Sequence, residues 1–304
     1  MASNASPNPP VFIVGCGDIG LRVAKLELAA GHPVAALARS EAAARRLGPL
    51  GLDVVPGDLD EPGSLAGLPA RVRVLYYFAP PPSAGTDDPR LSALLGALPA
   101  AALPERVVYI GTSGVYGDCR GAWVDEDWPL NPQTDRARRR AAAERVLRDW
   151  SEGHGVPSVI LRVPGIYGPG RLPVERIRQG IPVVDEREAP YSNRIHADDL
   201  ARACLAAARL GRPGAAYNAS DGHPTTMTDY FQRVADALGL PRPPAIGMAA
   251  ARRTFTPNML SFLEESKRLD NRRMIRELQI VLRYPDLASG LPACLEEGSG
   301  GVRG

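Results

Sequence analysis

Four apolar residues, Val11–Val14, run straight into Gly15-Cys16-Gly17-Asp18-Ile19-Gly20, and a helix-forming stretch begins at Asp18. No other feature constrains the fold as much as this join. A strand that ends in G-x-G-x-x-G and opens a helix needs a tight turn at Gly15. It leaves the backbone at Gly17 bare to an approaching pyrophosphate, and it lets helix and strand pack closely across Gly20. The first turn of the helix then offers unpaired N–H groups and the positive end of its dipole to phosphate oxygens. Asp18 and Ile19, inside the motif, are placed in the same site.

The β-then-α rhythm that such a start requires continues for two thirds of the chain. Apolar runs at 33–38, 53–55, 72–78, 107–110 and 159–163 read as strands, and helices are predicted over 18–30, 40–47, 61–68, 89–103 and 136–152. The alternation implies a parallel sheet with crossover helices on both faces. After Pro164 the texture changes to Gly- and Pro-rich loops and shorter elements, with a helix at 196–210 and a strand at 215–218 returning to the first unit. The predicted fold class is therefore α/β, a Rossmann-type doubly wound parallel sheet with a smaller C-terminal substrate lobe. The dinucleotide-binding domain covers 10–163 with 196–220 returning to it. Residues 164–195 and 221–288 form the substrate lobe, and 1–9 and 289–304 read as flexible tails.

The 304 residues carry 44% hydrophobic and 23% charged side chains with a net charge of +2, which excludes global disorder and gives no electrostatic reason for a nucleic-acid or membrane partner. No apolar run is long enough to span a bilayer, and the first ten residues lack the basic start and apolar stretch of a signal peptide. Cys16, Cys119, Cys204 and Cys294 are widely spaced and form no metal pattern, which suits a reduced cytoplasm. Only Lys25 and Lys267 among the basic residues are lysines, so a lysine-dependent mechanism has two candidates.

The tip of the second strand bears on the choice of dinucleotide. An NAD site places an acid there to hold the ribose 2′-hydroxyl. Here the strand ends Leu37-Ala38-Arg39-Ser40. Arg39 offers a charge-assisted contact to a 2′-phosphate and Ser40 a hydrogen bond, so NADP is expected, with NAD as the other option. Asp58 and Leu59 after the third strand, and Ala79 after the fourth, are placed in the same cofactor site.

Five motifs in order resemble the extended short-chain dehydrogenase/reductases, the NAD-dependent epimerase/dehydratase family. They are the glycine loop, the segment Tyr109-Ile110-Gly111-Thr112-Ser113-Gly114-Val115-Tyr116-Gly117, the segment from Leu161-Arg162 to Tyr167-Gly168-Pro169-Gly170, Ile195-His196-Ala197-Asp198-Asp199-Leu200-Ala201, and Tyr217-Asn218-Ala219-Ser220-Asp221-Gly222. The resemblance covers about residues 11–285. It implies that Thr112 stands at the family's catalytic Ser/Thr position and holds the substrate oxygen that changes charge. It implies too that Arg162 and Pro164 border the nicotinamide, that Asp198 and Asp199 cap the returning helix, and that the protein is a homodimer. His196 reads as structural or as a site residue.

The chain departs from the family at its Tyr-x-x-x-Lys pair, which is absent. Aligning the helix on Ala143-Glu144 puts Arg136 at the Tyr position and Arg140 at the Lys position; another register gives Thr134 and Arg138. An arginine keeps its proton and cannot exchange it. One reading pairs Glu144 with Arg140 and Arg148 on a solvated face. The sharper one has Arg140 at the nicotinamide ribose and Arg136 on an anionic substrate, with a proton from Tyr116, Tyr167 or water. Two functions follow: an NAD(P)-dependent oxidoreductase or epimerase/dehydratase-like enzyme acting on a carbonyl or sugar-like molecule, or a catalytically silent NADP(H)-binding sensor or scaffold. Nucleic-acid binding by the arginines of 136–140 lacks interleaved aromatics.

Overall fold

The computed structural model describes residues 8–299. Seven strands, all parallel, form one sheet. From edge to edge the order is Ala216–Asn218, Ser158–Arg162, Val107–Ile110, Val74–Tyr77, Val11–Val14, Val34–Ala38 and Asp53–Pro56. The chain starts in the interior of the sheet at Val11–Val14, builds outward through two strands, then returns to the other side of its first strand with Val74–Tyr77. The direction of winding therefore reverses between Val11–Val14 and Val74–Tyr77. Ligands of open α/β sheets bind in the crevice that such a reversal opens at the carboxyl ends of the strands.

Both faces of the sheet are covered, which is why its central strands are apolar throughout rather than alternating. On one face Val23 and Ala24 of the helix Asp18–Ala29 meet Leu200, Ala203 and Ala207 of the helix Ala197–Leu210 over Ile13, Val108 and Leu161. On the other, Leu91 and Leu94 of Pro89–Ala97 and Ala143 and Leu147 of Asp135–His154 pack over Phe12, Leu75 and Ile160. Two helices open on side-chain caps: Ser40 accepts from the Ala43 N–H and Thr134 from the Ala137 N–H. The predicted helix at 61–68 is instead a 3₁₀ stretch, Pro62–Gly67, opened by proline and interrupted by two glycines.

The second lobe is built from two-stranded pairings. Gly165–Tyr167 runs parallel to Arg194–His196, and Tyr191–Ser192 antiparallel to Thr225–Thr226. Its core gathers Tyr167, Ile177, Val183, Tyr230, Phe231 and Val234. Two expectations about the division of the chain change here. Met274, Leu278 and Ile280, assigned to the substrate lobe, pack into the sheet-side core beside Tyr217. The segment expected to be a tail from residue 289 begins inside a helix, Leu287–Ser299, whose Leu287, Leu291 and Cys294 are buried against that second core. Spacings of four and three put these three side chains on one helical face. Residues 1–7 of the other expected tail lie outside the described residues. Among the described residues no helix is long and apolar enough to cross a membrane.

Candidate active site

Three adjoining cavities follow the carboxyl ends of the strands into the second lobe. The first is lined by Gly15, Cys16 and Gly17, by Leu37, Ala38 and Arg39, by Arg46, by Asp58 and Leu59, and by Ala79, Pro80 and Arg90. Gly15 is forced to be glycine twice. Its φ is +92°, and a Cβ would collide with the backbone of Phe78 and Ala79 at the reversal point. Gly17 differs: a Cβ there would project into open space, which is the room a pyrophosphate needs. At Gly20 a Cβ would come within 2.8 Å of the Gly15 carbonyl, so this glycine serves helix–strand packing. No side chain caps the helix at Gly17, so its first-turn N–H groups stay available to an anion.

Asp18 does not face the first cavity. Its two oxygens accept from Arg22 at 3.0 Å and from Arg171 at 2.6 Å. Burial opposes its ionisation, but the hydrogen bonds from Arg171 and Arg22 outweigh this and hold the carboxyl below the usual carboxylate range. Arg171 follows the Gly168-Pro169-Gly170 turn, so this contact fastens the second lobe to the phosphate loop. Ile19 is buried in the core. Ser40, placed in the cofactor site from the sequence, is the cap of the helix Glu41–Leu47 and does not line the cavity. Arg46 and Arg90 were missed. Arg46 is one helical turn on from Ala43, also in the lining, and donates to the Cys16 carbonyl at 2.9 Å. Arg90 grips Asp60 with two bonds of 2.6 and 2.7 Å.

The second cavity is walled by Pro80–Ser83, Ile110–Thr112, Arg136, Arg139, Arg140, Val163, Pro164 and Ile166. Thr112, Arg136, Arg140 and Pro164 therefore face one space. Thr112 Oγ1 accepts from the Gly114 N–H at 3.2 Å, which fixes its rotamer and leaves its own hydrogen to donate. Arg140 is held at the strand tip, donating to the Ile110 carbonyl at 3.2 Å and to the Tyr109 hydroxyl at 3.3 Å. Arg136 lies over the Phe262 ring, 4.2 Å from its centre. Arg139, unforeseen in the sequence, donates to the Gly85 carbonyl at 2.6 Å.

The third cavity, of about 250 Å³, opens on the far side of Thr112. Arg136 and Pro164 again contribute, joined from the second lobe by Tyr191, Asn193, Arg194, Phe262, Glu265 and Lys267. Lys267 is 5% exposed and its Nζ donates to Glu265 at 2.7 Å. Its being one of two lysines was the sequence signal; its position was not readable, because it lies 155 residues after Thr112 and 103 after Pro164, the residues at the strand tips that it joins.

Four expectations for the site are corrected by the packing. Tyr116, the first candidate proton donor, is 1% exposed and lines none of these cavities. Its hydroxyl donates to Asn218 Oδ1 at 2.8 Å and accepts from Arg162 at 2.9 Å. Burial pushes the phenol well above its ordinary range despite the Arg162 charge, so it is a structural link. Arg162 does not border the cavities either. It is buried, gripping Glu144 with Nε at 3.1 Å and Nη2 at 2.9 Å, so the partner of Glu144 is Arg162 together with Arg148, and Arg140 takes no part. Tyr167, the other tyrosine considered, is buried with its hydroxyl donating to the Asp286 carbonyl. Finally, the cap of the returning helix is His196, whose Nδ1 accepts from the Asp198 N–H at 3.2 Å. Asp199 instead accepts from the backbone N–H groups of Arg283 and Tyr284 at 2.8 and 2.7 Å. His196 sits between Tyr167 and Tyr284, a core position. Among the described residues no group of three His, Cys, Asp or Glu converges as a metal site.

Comparison with known proteins places these features. The dTDP-glucose 4,6-dehydratase of Actinoplanes sp. is 28% identical over 207 residues, 62% of this chain and 64% of that protein. The human dTDP-D-glucose 4,6-dehydratase is 30% identical over 122 residues, 38% of this chain and 35% of its own length. The matches to curated relatives thus span between about a third and two thirds of those proteins. A conserved protein of unknown function from Silicibacter pomeroyi superposes with a TM-score of 0.81 at 31% identity, covering 95% of this chain and 99% of that one. A nucleoside-diphosphate-sugar epimerase from Pseudomonas aeruginosa shares the fold, with a TM-score of 0.77 at 21% identity over 97% and 98% of the two chains. The model of the NAD dependent epimerase/dehydratase family matches residues 11–220, the whole sheet with its glycine loop and Thr112, and the chain belongs to that family.

Proposed function

We propose that the protein is a nicotinamide-dinucleotide-dependent oxidoreductase that prefers NADP(H) and acts on a small, anionic carbonyl compound held beyond Thr112. The observation that carries this reading is the continuity of the three cavities. Pro80 lines the first and the second, and Thr112, Arg136 and Pro164 line the second and the third. The glycine loop, open above Gly17, lies at one end, and a pocket in the other lobe lies at the opposite end.

The residues fit a dinucleotide. Gly15 and Gly17 would form the pyrophosphate cradle. Leu37, Leu59 and Ala79 would flank the adenosine, and Arg39 and Arg46 would face a 2′-phosphate, with no carboxylate at the strand tip to repel it. A charge-assisted contact contributes about 1.5–3 kcal/mol, so NADPH should bind at least about tenfold tighter than NADH. When bound, the nicotinamide supplies or accepts a hydride. Thr112 then donates to the carbonyl oxygen of the substrate, and Arg136 adds positive charge beside it. The missing Tyr-x-x-x-Lys pair leaves Lys267 and Glu265 as the titratable pair of the third cavity, suited to exchanging a proton at that oxygen. This cavity, of about 250 Å³, has room for a small keto acid.

The experiment is equilibrium titration with NADPH and NADH, followed by small keto acids and neutral aldehydes, with turnover followed at the nicotinamide absorbance. Reduction of a keto acid with NADPH supports the reading. Tight NADPH binding without turnover of any carbonyl compound would replace it with the sensor, which the absent Tyr-x-x-x-Lys pair favours.

A further inference from the structure

Arg194 is a buried cation that no carboxylate among the described residues meets in a direct ion pair. Its residue is 6% exposed and it lines the third cavity with Thr112, Arg136 and Lys267. Its hydrogen-bond partners are all neutral. Nη1 donates to the Asn193 carbonyl at 3.3 Å, and Nη2 donates to Ser192 Oγ at 3.2 Å and to Met227 Sδ at 3.4 Å. Nε has no acceptor. The guanidinium stands 3.9 Å from the centre of the Tyr230 ring. Asp221 and Asp229 act on it electrostatically, but among the described residues neither makes an ion pair with it within 4 Å. Burial pulls its pKa below the ordinary arginine range.

The contrast with Arg162 shows what is missing. That arginine is as deeply buried, but Glu144 meets it with both oxygens. A buried charge without a partner is strongly unfavourable, and chains keep one where a ligand completes it. An arginine that served only to fasten the turn at Ser192 and Asn193 would need no charge, since a neutral donor would make the same bonds.

We propose that Arg194 is the anchor for the carboxylate of the substrate, its guanidinium fork donating in the third cavity to the direct anionic partner that no described side chain provides. This deepens the proposed function and rests on its assignment of the third cavity to substrate. The carbonyl carbon next to that carboxylate would then lie between Arg194 and Thr112.

The test uses the full chain, with and without saturating NADPH, and oxalate and inorganic phosphate as probes. Binding is read by calorimetry and by the shift in melting temperature. Oxalate is expected to bind and to raise the melting temperature of the unaltered protein. Arg194→Met is expected to lose that response, to weaken oxalate at least tenfold, and in buffer alone to melt no lower than the parent, because it removes a buried charge that has no direct ion-pair partner. Should Arg194→Met fail to fold, Arg194→Lys, which keeps the charge and loses the fork, is expected to weaken oxalate at least tenfold at a near-parental melting temperature. Unchanged oxalate affinity in either variant overturns the proposal. So does the absence of an oxalate response in the parent, or binding of phosphate in preference to oxalate. The oxalate response is measured without turnover. A protein that binds oxalate through Arg194 but fails to bind NADPH overturns the dinucleotide reading alone, and one that turns over carbonyl compounds with no dependence on Arg194 overturns the anchor alone.

Discussion

Replacing Glu144 by Gln should destabilise the protein severely while leaving its dinucleotide affinity intact. Glu144 is fully buried on the helix Asp135–His154, and both of its oxygens accept from Arg162 on the strand Ser158–Arg162, at 3.1 and 2.9 Å. The remaining Arg162 nitrogen donates to the Tyr116 hydroxyl at 2.9 Å and the Glu126 carbonyl at 3.0 Å. In Glu144→Gln the guanidinium stays buried opposite an amide that offers one acceptor and turns its NH₂ toward another donor. Breaking a buried pair on one side costs about 3–5 kcal/mol. At about 2 °C per kcal/mol for a large domain, the melting temperature should fall by about 6–10 °C. The double variant Glu144→Leu with Arg162→Met replaces both charges with apolar groups and should recover most of the loss, because the desolvation of both ions disappears together. Urea unfolding of the parent, the singles and the double gives the coupling; NADPH titration gives the functional arm. A loss below about 1 kcal/mol for Glu144→Gln, or a tenfold weaker NADPH affinity at unchanged stability, would refute the assignment of Arg162 to the core rather than the cofactor site.

Truncation after Asp286 should cost about 3–6 kcal/mol, the burial of Leu287 and Leu291 against Tyr167, Tyr230 and Phe231; a truncated chain that melts with the parent would show that the helix Leu287–Ser299 contributes nothing. Burial raises the Asp221 carboxyl to about 7, above its value of about 3.9 in the unfolded chain. The native state therefore holds the extra proton between these values. Its stabilising effect, on the order of 4 kcal/mol, is complete below about pH 4 and is lost as the pH rises towards 7. Chemical denaturation across pH 5–8 should show this decline in the parent and a flatter profile in Asp221→Asn, and parallel profiles would contradict it. Gly17→Ala should fold normally, since its Cβ meets nothing, yet bind dinucleotide at least tenfold more weakly; Gly15→Ala should fail to fold stably because its Cβ strikes the backbone of Phe78 and Ala79. Melting curves with and without NADPH separate the two cases.

What was legible in the sequence was local. The glycine loop and the strand tips depend on neighbours a few residues away, and the structure has them where the pattern puts them. The helical register that set Arg136 and Arg140 beside Thr112 is equally local, since Ala143 and Glu144 fix it within two turns. Long-range partnership was not legible. The Glu144–Arg162 pair joins a helix to the strand after it, and nothing in the spacing of either distinguishes that partner from Arg140 or Arg148 one turn away. Tyr116 follows Thr112 in a motif that resembles an active-site loop, but the 3₁₀ turn Ser113–Tyr116 aims its ring inward, toward Asn218. The C-terminal helix was misread because Gly290 and Pro292 suggest a loose tail. Its glycine is there for a different reason: a Cβ at Gly290 would overlap the Tyr167 ring. Arg194 becomes a site candidate, and Lys267 is chosen over Lys25, only because the second lobe brings them to Thr112, which no spacing in a single sequence reveals.

In the proposed function one trough holds a phosphorylated dinucleotide at its glycine end and presents its nicotinamide at Thr112. A crystal structure of the complex with NADPH tests this most directly. The pyrophosphate is expected over Gly17, the 2′-phosphate between Arg39 and Arg46, and the nicotinamide within reach of Thr112 and Pro164, with the cavity of Arg194 and Lys267 still open beside it. A dinucleotide whose 2′-phosphate points away from both arginines, or whose nicotinamide lies outside the Thr112 wall, would contradict it.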